Sequence, residues 1–268
     1  MTIHSTALVS PKSEIHETAT IGPFSVIGDH VRIGAHCDIQ GHVTIENRTF
    51  LDEGVTVHPY ARVGGIPQDL KFQGEPGELH IGKHTTIRES ATLNIGTEHG
   101  GLKTIIGDNC LIMAYAHIGH DSRLDNNVVI VNSVSVAGHV HIGSAAIVGG
   151  LAGIHQFVNI GAQAFVAAGA MVARDVLPYS TVQGDRAKHI GLNLVGLKRS
   201  GWSRDSIRVM RDLFRDIQQS SMPLRSVVET HLGKDPENSN IQAWLRALQS
   251  TQRGIAPFAS VDDSNVDL

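Results

Sequence analysis

From Ile3 onward an aliphatic residue falls on every sixth position, through Val9, Ile15, Ile21 and their successors to Val63. The beat resumes in phase at Ile81, Ile87 and Leu93. It then slips by one residue and runs unbroken from Ile106 to Val172, so that 26 positions obey it. An α-helix repeats near 3.6 residues and an amphipathic strand at 2, so neither explains a period of six. Hexapeptide repeats mark a parallel β-helix. Each hexad supplies a short strand and a corner, and three hexads close a triangular coil of 18 residues. Successive coils stack about 4.8 Å apart, with the beat residues pointing inward. Gly often follows the aliphatic residue, as in "IGPFSV" and "IGDHVR", and such small residues are expected to let the chain turn each corner. The prediction is a mainly β fold, a parallel β-helix over residues 1-190.

Two breaks interrupt the beat, with 12 extra residues between Val63 and Ile81 and 7 between Leu93 and Ile106. Both stretches are rich in Gly and charge, which predicts loop insertions near 64-80 and 94-105. Solenoid insertions often lie on the binding side. After Val172 the beat decays. Ile207, Met210, Leu213, Phe214 and Ile217 then recur at helical spacing, with Ser203 placed to cap the helix N-terminus. "LRSVVETHL" and "NSNIQAWLRALQSTQ" read as further helices, giving a C-terminal helical domain over 191-268, expected to fray from about Gly254. Such a cap would also shield an open strand edge.

Composition narrows the picture. The chain of 268 residues is 41% hydrophobic but only 4% aromatic, with 28 glycines, which suits thin layered packing. A net charge of -4 gives no reason to expect nucleic acid. Cys37 and Cys110 are the only cysteines, too few for a disulfide framework, and they fit a reducing compartment. The first residues lack the basic and apolar regions of a signal peptide. No apolar stretch is long enough to cross a bilayer. A cytoplasmic location is therefore expected.

"AHIGHDS", residues 116–122, carries the most pointed chemistry. Positions 18 apart share a column, so His120, Gly138 and Gln156 stack, flanked by Asp121 with His139 and Phe157, and by Ala137 with His155. His117 stands just before them. Three readings of this patch are open. The histidines are exposed corner residues, or they ligate a metal such as zinc, or one is a general base. In the last case Asp121 would orient the imidazole, provided the corner bends enough to bring neighbouring side chains together. Gly138 would offer a backbone N–H to an oxyanion.

"IPQDLKFQGEP", "IRESAT", "AHIGHD", "AGHV", "GGLAGIHQF" and "GLKRSG", set in this frame, resemble the UDP-N-acetylglucosamine O-acyltransferase family, which begins lipid A synthesis in Gram-negative bacteria. The resemblance covers nearly the whole chain and implies a left-handed β-helix and a homotrimer with active sites between neighbouring prisms. It implies transfer of a 3-hydroxyacyl chain from acyl carrier protein to the 3-OH of UDP-N-acetylglucosamine. It makes His120 the base, Asp121 its partner and Gly138 the oxyanion donor. It places donor and sugar-nucleotide contacts at Asp69, Lys71, His117, His139, His155, Gln156, Asn193 and Arg199, and the end of the acyl groove at Ala168. No metal and no cofactor of the enzyme's own is implied, since the donor carries phosphopantetheine. The chain departs from the family pattern at Asn94, Ile95, Val195 and Ser200, departures that bear on sugar-nucleotide binding. An acidic carrier would meet the basic run Lys198, Arg199, Arg204, Arg208, Arg211 and Arg215, which also reads as a solvated helix face.

Other functions fit the same fold. A hexapeptide-repeat N-acyltransferase acting on an amino sugar nucleotide would use the same base. A zinc-dependent hydratase would use the histidines as ligands, and a non-catalytic scaffold would need neither.

Overall fold

The computed structural model describes residues 2–259. Each of the 26 beat residues lies in its own short strand, most of them two residues long. The strands join into three parallel faces of a prism. Register partners are 18 apart within the regular coils, as in Thr20↔Asp38. They are 30 apart across the first insertion and 25 across the second, so each loop absorbs its extra residues without breaking the stack. From Ile21 to Val172 the beat residues are buried in one continuous aliphatic core. Ile3, by contrast, is 37% exposed, because it lies in the first coil of the described residues.

The corners turn differently from the glycine expectation. The third corner residue holds the left-handed conformation, yet it is usually Phe, His, Tyr, Asn or Asp, as at Phe24, His42, Tyr60, Asn127 and His139. Their rings stack from coil to coil, Phe24 on His42 and His42 on Tyr60 at 5.1 Å each, which helps offset the backbone cost. Glycine after the beat has another purpose. A Cβ on Gly34 would lie 2.8 Å from the backbone carbon of Asp52 in the next coil. Those glycines permit close approach between coils.

Beyond Val172 the chain forms an antiparallel pair, Ser180–Gln183 with Lys188–Leu192, which the decaying beat had not revealed. Four helices follow: α1 (Leu194–Arg199), α2 (Arg204–Gln219), α3 (Leu224–Lys234) and α4 (Ser239–Ser250). Ser203 caps α2 by accepting from the Ser206 N–H at 3.0 Å. Met210, Leu213, Phe214, Val228 and Trp244 pack on Leu177 as a second core over the prism end, and the Trp244 indole donates to the Pro178 carbonyl. The expected fraying from Gly254 is corrected for residues 254–259; residues 260–268 lie outside the described ones. The Asp175 N–H donates to the Gly254 carbonyl and the Asp175 carbonyl accepts from the Ala256 N–H, and the His189 backbone is bonded likewise to Pro257 and Ala259. The tail is thus tied down by backbone hydrogen bonds. Among the described residues no helix is long and apolar enough to cross a membrane.

Candidate active site

The site lies on the edge between the second and third faces, where three consecutive corners stack. The first follows the strand His117–Ile118 and reads Gly119-His120-Asp121-Ser122. Buried Ile118 pins its start, and the buried Ser122 hydroxyl donates to the Ala137 carbonyl. Asp121 has φ 59°. That bend brings adjacent side chains to one side, so that His120 Nδ1 lies 2.7 Å from Asp121 Oδ2.

Asp121 is held from below by the second insertion. The Thr97 backbone N–H donates to one carboxylate oxygen at 2.8 Å and its hydroxyl to the other at 2.6 Å. Burial alone would push this carboxyl up, but the hydrogen bonds from His120 and Thr97 outweigh it and hold the group below the usual carboxylate range. An ionised carboxylate only accepts, so His120 Nδ1 carries a proton, and Nε2 is the nitrogen that holds the lone pair in the neutral ring. That nitrogen faces Gly138, where a Cβ would come within 2.7 Å of it. Only glycine leaves room for the imidazole here.

The Gly138 N–H has no acceptor among the described residues. This is a property of the coil, because the second corner residue stands outside the ladder. Pro11, Pro23 and Pro59 occupy equivalent positions, where no N–H is required. The β-helix therefore leaves an uncommitted donor beside the histidine without local distortion.

His139 stands edge-on to His120, with ring centroids 5.0 Å apart, and stacks on Phe157 at 4.6 Å. Burial lowers its pKa, against the charge of Asp121 and, farther away, Asp69. His117 accepts or donates at Thr92 Oγ1, 2.9 Å away, and burial, with nearby His120, lowers its pKa. His155 and Gln156 are exposed on the next coil, and His155 lines a groove of about 610 Å³ with His117.

The two insertions also meet each other beside this edge. Glu98 N–H donates to Glu75 Oε1, and Asn94 Nδ2 reaches the carbonyls of Gly65 and Ile66. Asn94 thus anchors the root of the first loop, while Ile95 is buried in the prism core. Asp69 folds back on its own loop by accepting from Lys71 N–H, and Lys71 is exposed. Asn193 caps α1 through the Gly196 N–H and donates to the Gln163 carbonyl. Arg199 and Val195 lie exposed on α1, and Ser200 closes that helix. The structure therefore brings His117, His120, Asp121, Gly138 and His139 together. Asn193, Arg199 and Ala168 lie away from that cluster, Ala168 on the exposed corner between the first and second faces.

The metal reading of the histidine patch narrows. Among the described residues the one group spaced to share an ion is His120, Asp121 and His139. Its carboxylate already accepts three hydrogen bonds from His120 and Thr97. Thr97 was missed by sequence reasoning because it sits in an insertion, outside the six-residue register.

The chain and its fold have counterparts among known proteins. Residues 175–256 match the model described as Udp N-acetylglucosamine O-acyltransferase, domain 2, and residues 12–47 and 103–138 match the bacterial transferase hexapeptide model. Acyl-(acyl-carrier-protein)–UDP-N-acetylglucosamine O-acyltransferases of Anaeromyxobacter sp. and Burkholderia orbicola are 47% and 43% identical over 95% and 94% of this chain, covering 99% and 98% of their own lengths. The UDP-N-acetylglucosamine acyltransferase structures from Francisella novicida and Campylobacter jejuni superpose with a TM-score of 0.91 each, at 30% and 33% identity. They cover 99% and 96% of this chain, and 99% and 100% of their own. The prism is the left-handed parallel β-helix of these structures. With the hexapeptide coils, the paired insertions, the helical cap and near full-length similarity all in hand, the chain belongs to the UDP-N-acetylglucosamine O-acyltransferase family.

Proposed function

We propose that this cleft transfers a 3-hydroxyacyl chain from acyl carrier protein to the 3-OH of UDP-N-acetylglucosamine, the first step of lipid A biosynthesis, by direct attack. One observation carries the reading: His120 has Nδ1 committed to Asp121 and Nε2 open beside the unpaired Gly138 N–H. His120 takes the proton of the sugar 3-hydroxyl as its oxygen attacks the thioester carbon. The resulting oxyanion accepts from the Gly138 N–H, and Asp121 stabilises the imidazolium. When the C–S bond breaks, the imidazolium returns the proton to the leaving thiolate of the carrier's phosphopantetheine. An ester forms, a thiol is released and His120 is restored. Both cysteines are buried in the prism, which disfavours an acyl-enzyme on sulfur. The enzyme needs no cofactor of its own in this scheme.

The sugar nucleotide and donor are assigned to Asp69, Lys71, His117, His139, His155, Gln156, Asn193 and Arg199, with the two insertions forming one wall. Exposed Phe24, Tyr60, Tyr115 and Leu151 line one prism corner, and such an apolar ridge supports packing of prisms into a homotrimer. The acidic carrier has Lys198, Arg199, Arg204 and Arg211 available on α1 and α2, whereas Arg208 and Arg215 are paired with Asp205 and Asp212. A cytoplasmic location fits these substrates.

The test is transfer from 3-hydroxyacyl carrier thioesters to UDP-N-acetylglucosamine and, in parallel, to its 3-amino analogue. Ester formation supports the O-acyl reading. Exclusive amide formation would replace it with the N-acyltransferase.

A further inference from the structure

We infer that Thr97 is a positioning residue for the transfer: its backbone N–H and hydroxyl together hold the Asp121 carboxylate in the orientation that aims His120 Nε2 at the acceptor hydroxyl. The inference deepens the acyl-transfer reading above and rests on it. The Asp121 side chain is 1% exposed, and among the described residues three side-chain hydrogen bonds take up its two oxygens. Oδ1 accepts from the Thr97 N–H, and Oδ2 from both the Thr97 hydroxyl and His120 Nδ1. A carboxylate bonded to His120 alone could turn about its Cβ–Cγ bond and take the imidazole with it. Two donors from one residue remove that rotation, so the aim of the base is set by the second insertion.

The turn that carries Thr97 is shaped around the same group. Thr97 is 2% exposed, and its carbonyl accepts from the N–H groups of Gly100 and Leu102, which closes residues 98–100 back over it. A Cβ on Gly100 would overlap the Asp121 carboxyl carbon, so this glycine lets the turn lie directly against the carboxylate. The Asp121 backbone is fixed as well, because its N–H donates at 2.8 Å to the hydroxyl of Thr104, which is fully buried. The competing reading is that Thr97 merely ties the loop to the prism. The loop has other ties. Ile95 N–H donates to the Gly65 carbonyl, Gly96 N–H to the Glu78 carbonyl and Glu98 N–H to the Glu75 carboxylate. None of these passes through Asp121.

The two roles differ in what they do to protonation. Donors to a carboxylate favour its charged form, so Thr97 lowers the affinity of the His120–Asp121 pair for a proton. Without the hydroxyl that affinity rises, and His120 is protonated at a higher pH. His117 and His139 adjoin the pair, and Asp69 and His99 act on His139 in turn. All four are unchanged by substitution at Thr97.

The experiment compares the wild type with Thr97→Val and Thr97→Ser. It measures kcat and KM for transfer to UDP-N-acetylglucosamine, the pH dependence of kcat/KM, and the titration of the His120 ring by nitrogen NMR, its signal assigned with His120→Ala. Thr97→Val keeps the side-chain shape and the backbone N–H and loses only the hydroxyl, and thermal melts should show it folded. Its kcat should fall by roughly 10–100-fold with KM held. The acid limb of its rate profile and the His120 titration should both move up by roughly one pH unit. Thr97→Ser, which keeps the hydroxyl, should stay near the wild type in every measurement. A folded Thr97→Val with a raised KM, an unmoved acid limb and an unmoved ring titration would overturn the inference and leave Thr97 as a tie for the loop. Full activity in Thr97→Val would overturn it as well. A wild type inactive with every donor would instead overturn the acyl-transfer reading, and the ring titration, which needs no substrate, would still decide whether Thr97 governs the pair.

Discussion

A neutral imidazole becomes a directed base only when one nitrogen is committed and the other is left open. Here Asp121 commits Nδ1, and Gly138 leaves space at Nε2. His120→Ala should therefore lower the transfer rate by about 10²–10⁴-fold while the melting temperature stays near the wild type, because the side chain is not part of the prism core. Near-normal turnover in a folded variant would transfer the role to another residue. Chelation tests the competing metal chemistry of His120, Asp121 and His139: dialysis against EDTA followed by metal analysis should leave the rate unchanged. Loss of activity restored by zinc would instead make His120, Asp121 and His139 ligands. The columns of 18 made His120, Gly138 and His139 legible as one patch, since register follows from the beat. Asp121's approach to His120 was legible only as a condition, because a left-handed φ is not written in residue type. Thr97 was not legible at all: its distance to Asp121 depends on how a 7-residue insertion folds back.

At the scale of elements, strands and corners carry different information. Every beat residue found its strand, because an aliphatic side chain has only the prism interior in which to hide. The corner glycines were read for flexibility, yet their constraint is distance to the adjacent coil. This separates two similar substitutions. Gly34→Ala sets a methyl 2.8 Å from immovable backbone, whereas at Gly28 the nearest atom is 3.3 Å away. Gly34→Ala should destabilise by about 1–3 kcal/mol, and Gly28→Ala by much less, since lost unfolded-state entropy offsets part of the crowding. Urea midpoints of both variants check this, and equal losses would show that crowding is not the cause. Helices α2, α3 and α4 were legible from their apolar spacing and capping residues. The pair 180–183 with 188–192, the short α1 and the tail at 254–259 were not. They depend on backbone partners such as Asp175 and His189, which no local pattern announces.

The molecule as a whole is a rod closed by a cap, and one buried histidine sits where they join. His189 is fully buried, accepts from the Leu177 N–H through Nε2 and donates from Nδ1 to the Ala256 carbonyl. Burial pushes its pKa down to about 4 from 6.5. The folded protein keeps this ring neutral where the unfolded chain takes up a proton, so stability is full above 6.5 and falls as pH drops toward about 4. The difference amounts to roughly 3 kcal/mol. Urea midpoints at pH 7.5 and 4.5 should differ by more in the wild type than in His189→Gln. An equal pH dependence in the two proteins would assign it to the carboxylates.

The 18-residue register described for the coils has a consequence for what may be removed. Thr2 pairs with Thr20, and Thr20 with Asp38, so residues 20–37 are one complete layer with the same upper and lower surface. Excising that layer joins Ala19 to Asp38 and lets Thr2 rest on Asp38 in the geometry it already had. Such a shortened enzyme should fold and transfer acyl chains, with the loss seen only as a lower melting temperature. Removing one residue fewer, 21–37, puts every upstream inward side chain out of phase and should leave the first coils unfolded, as amide exchange would report. In this protein length is a quantity counted in whole layers, and the chemistry is indifferent to how many lie beneath it.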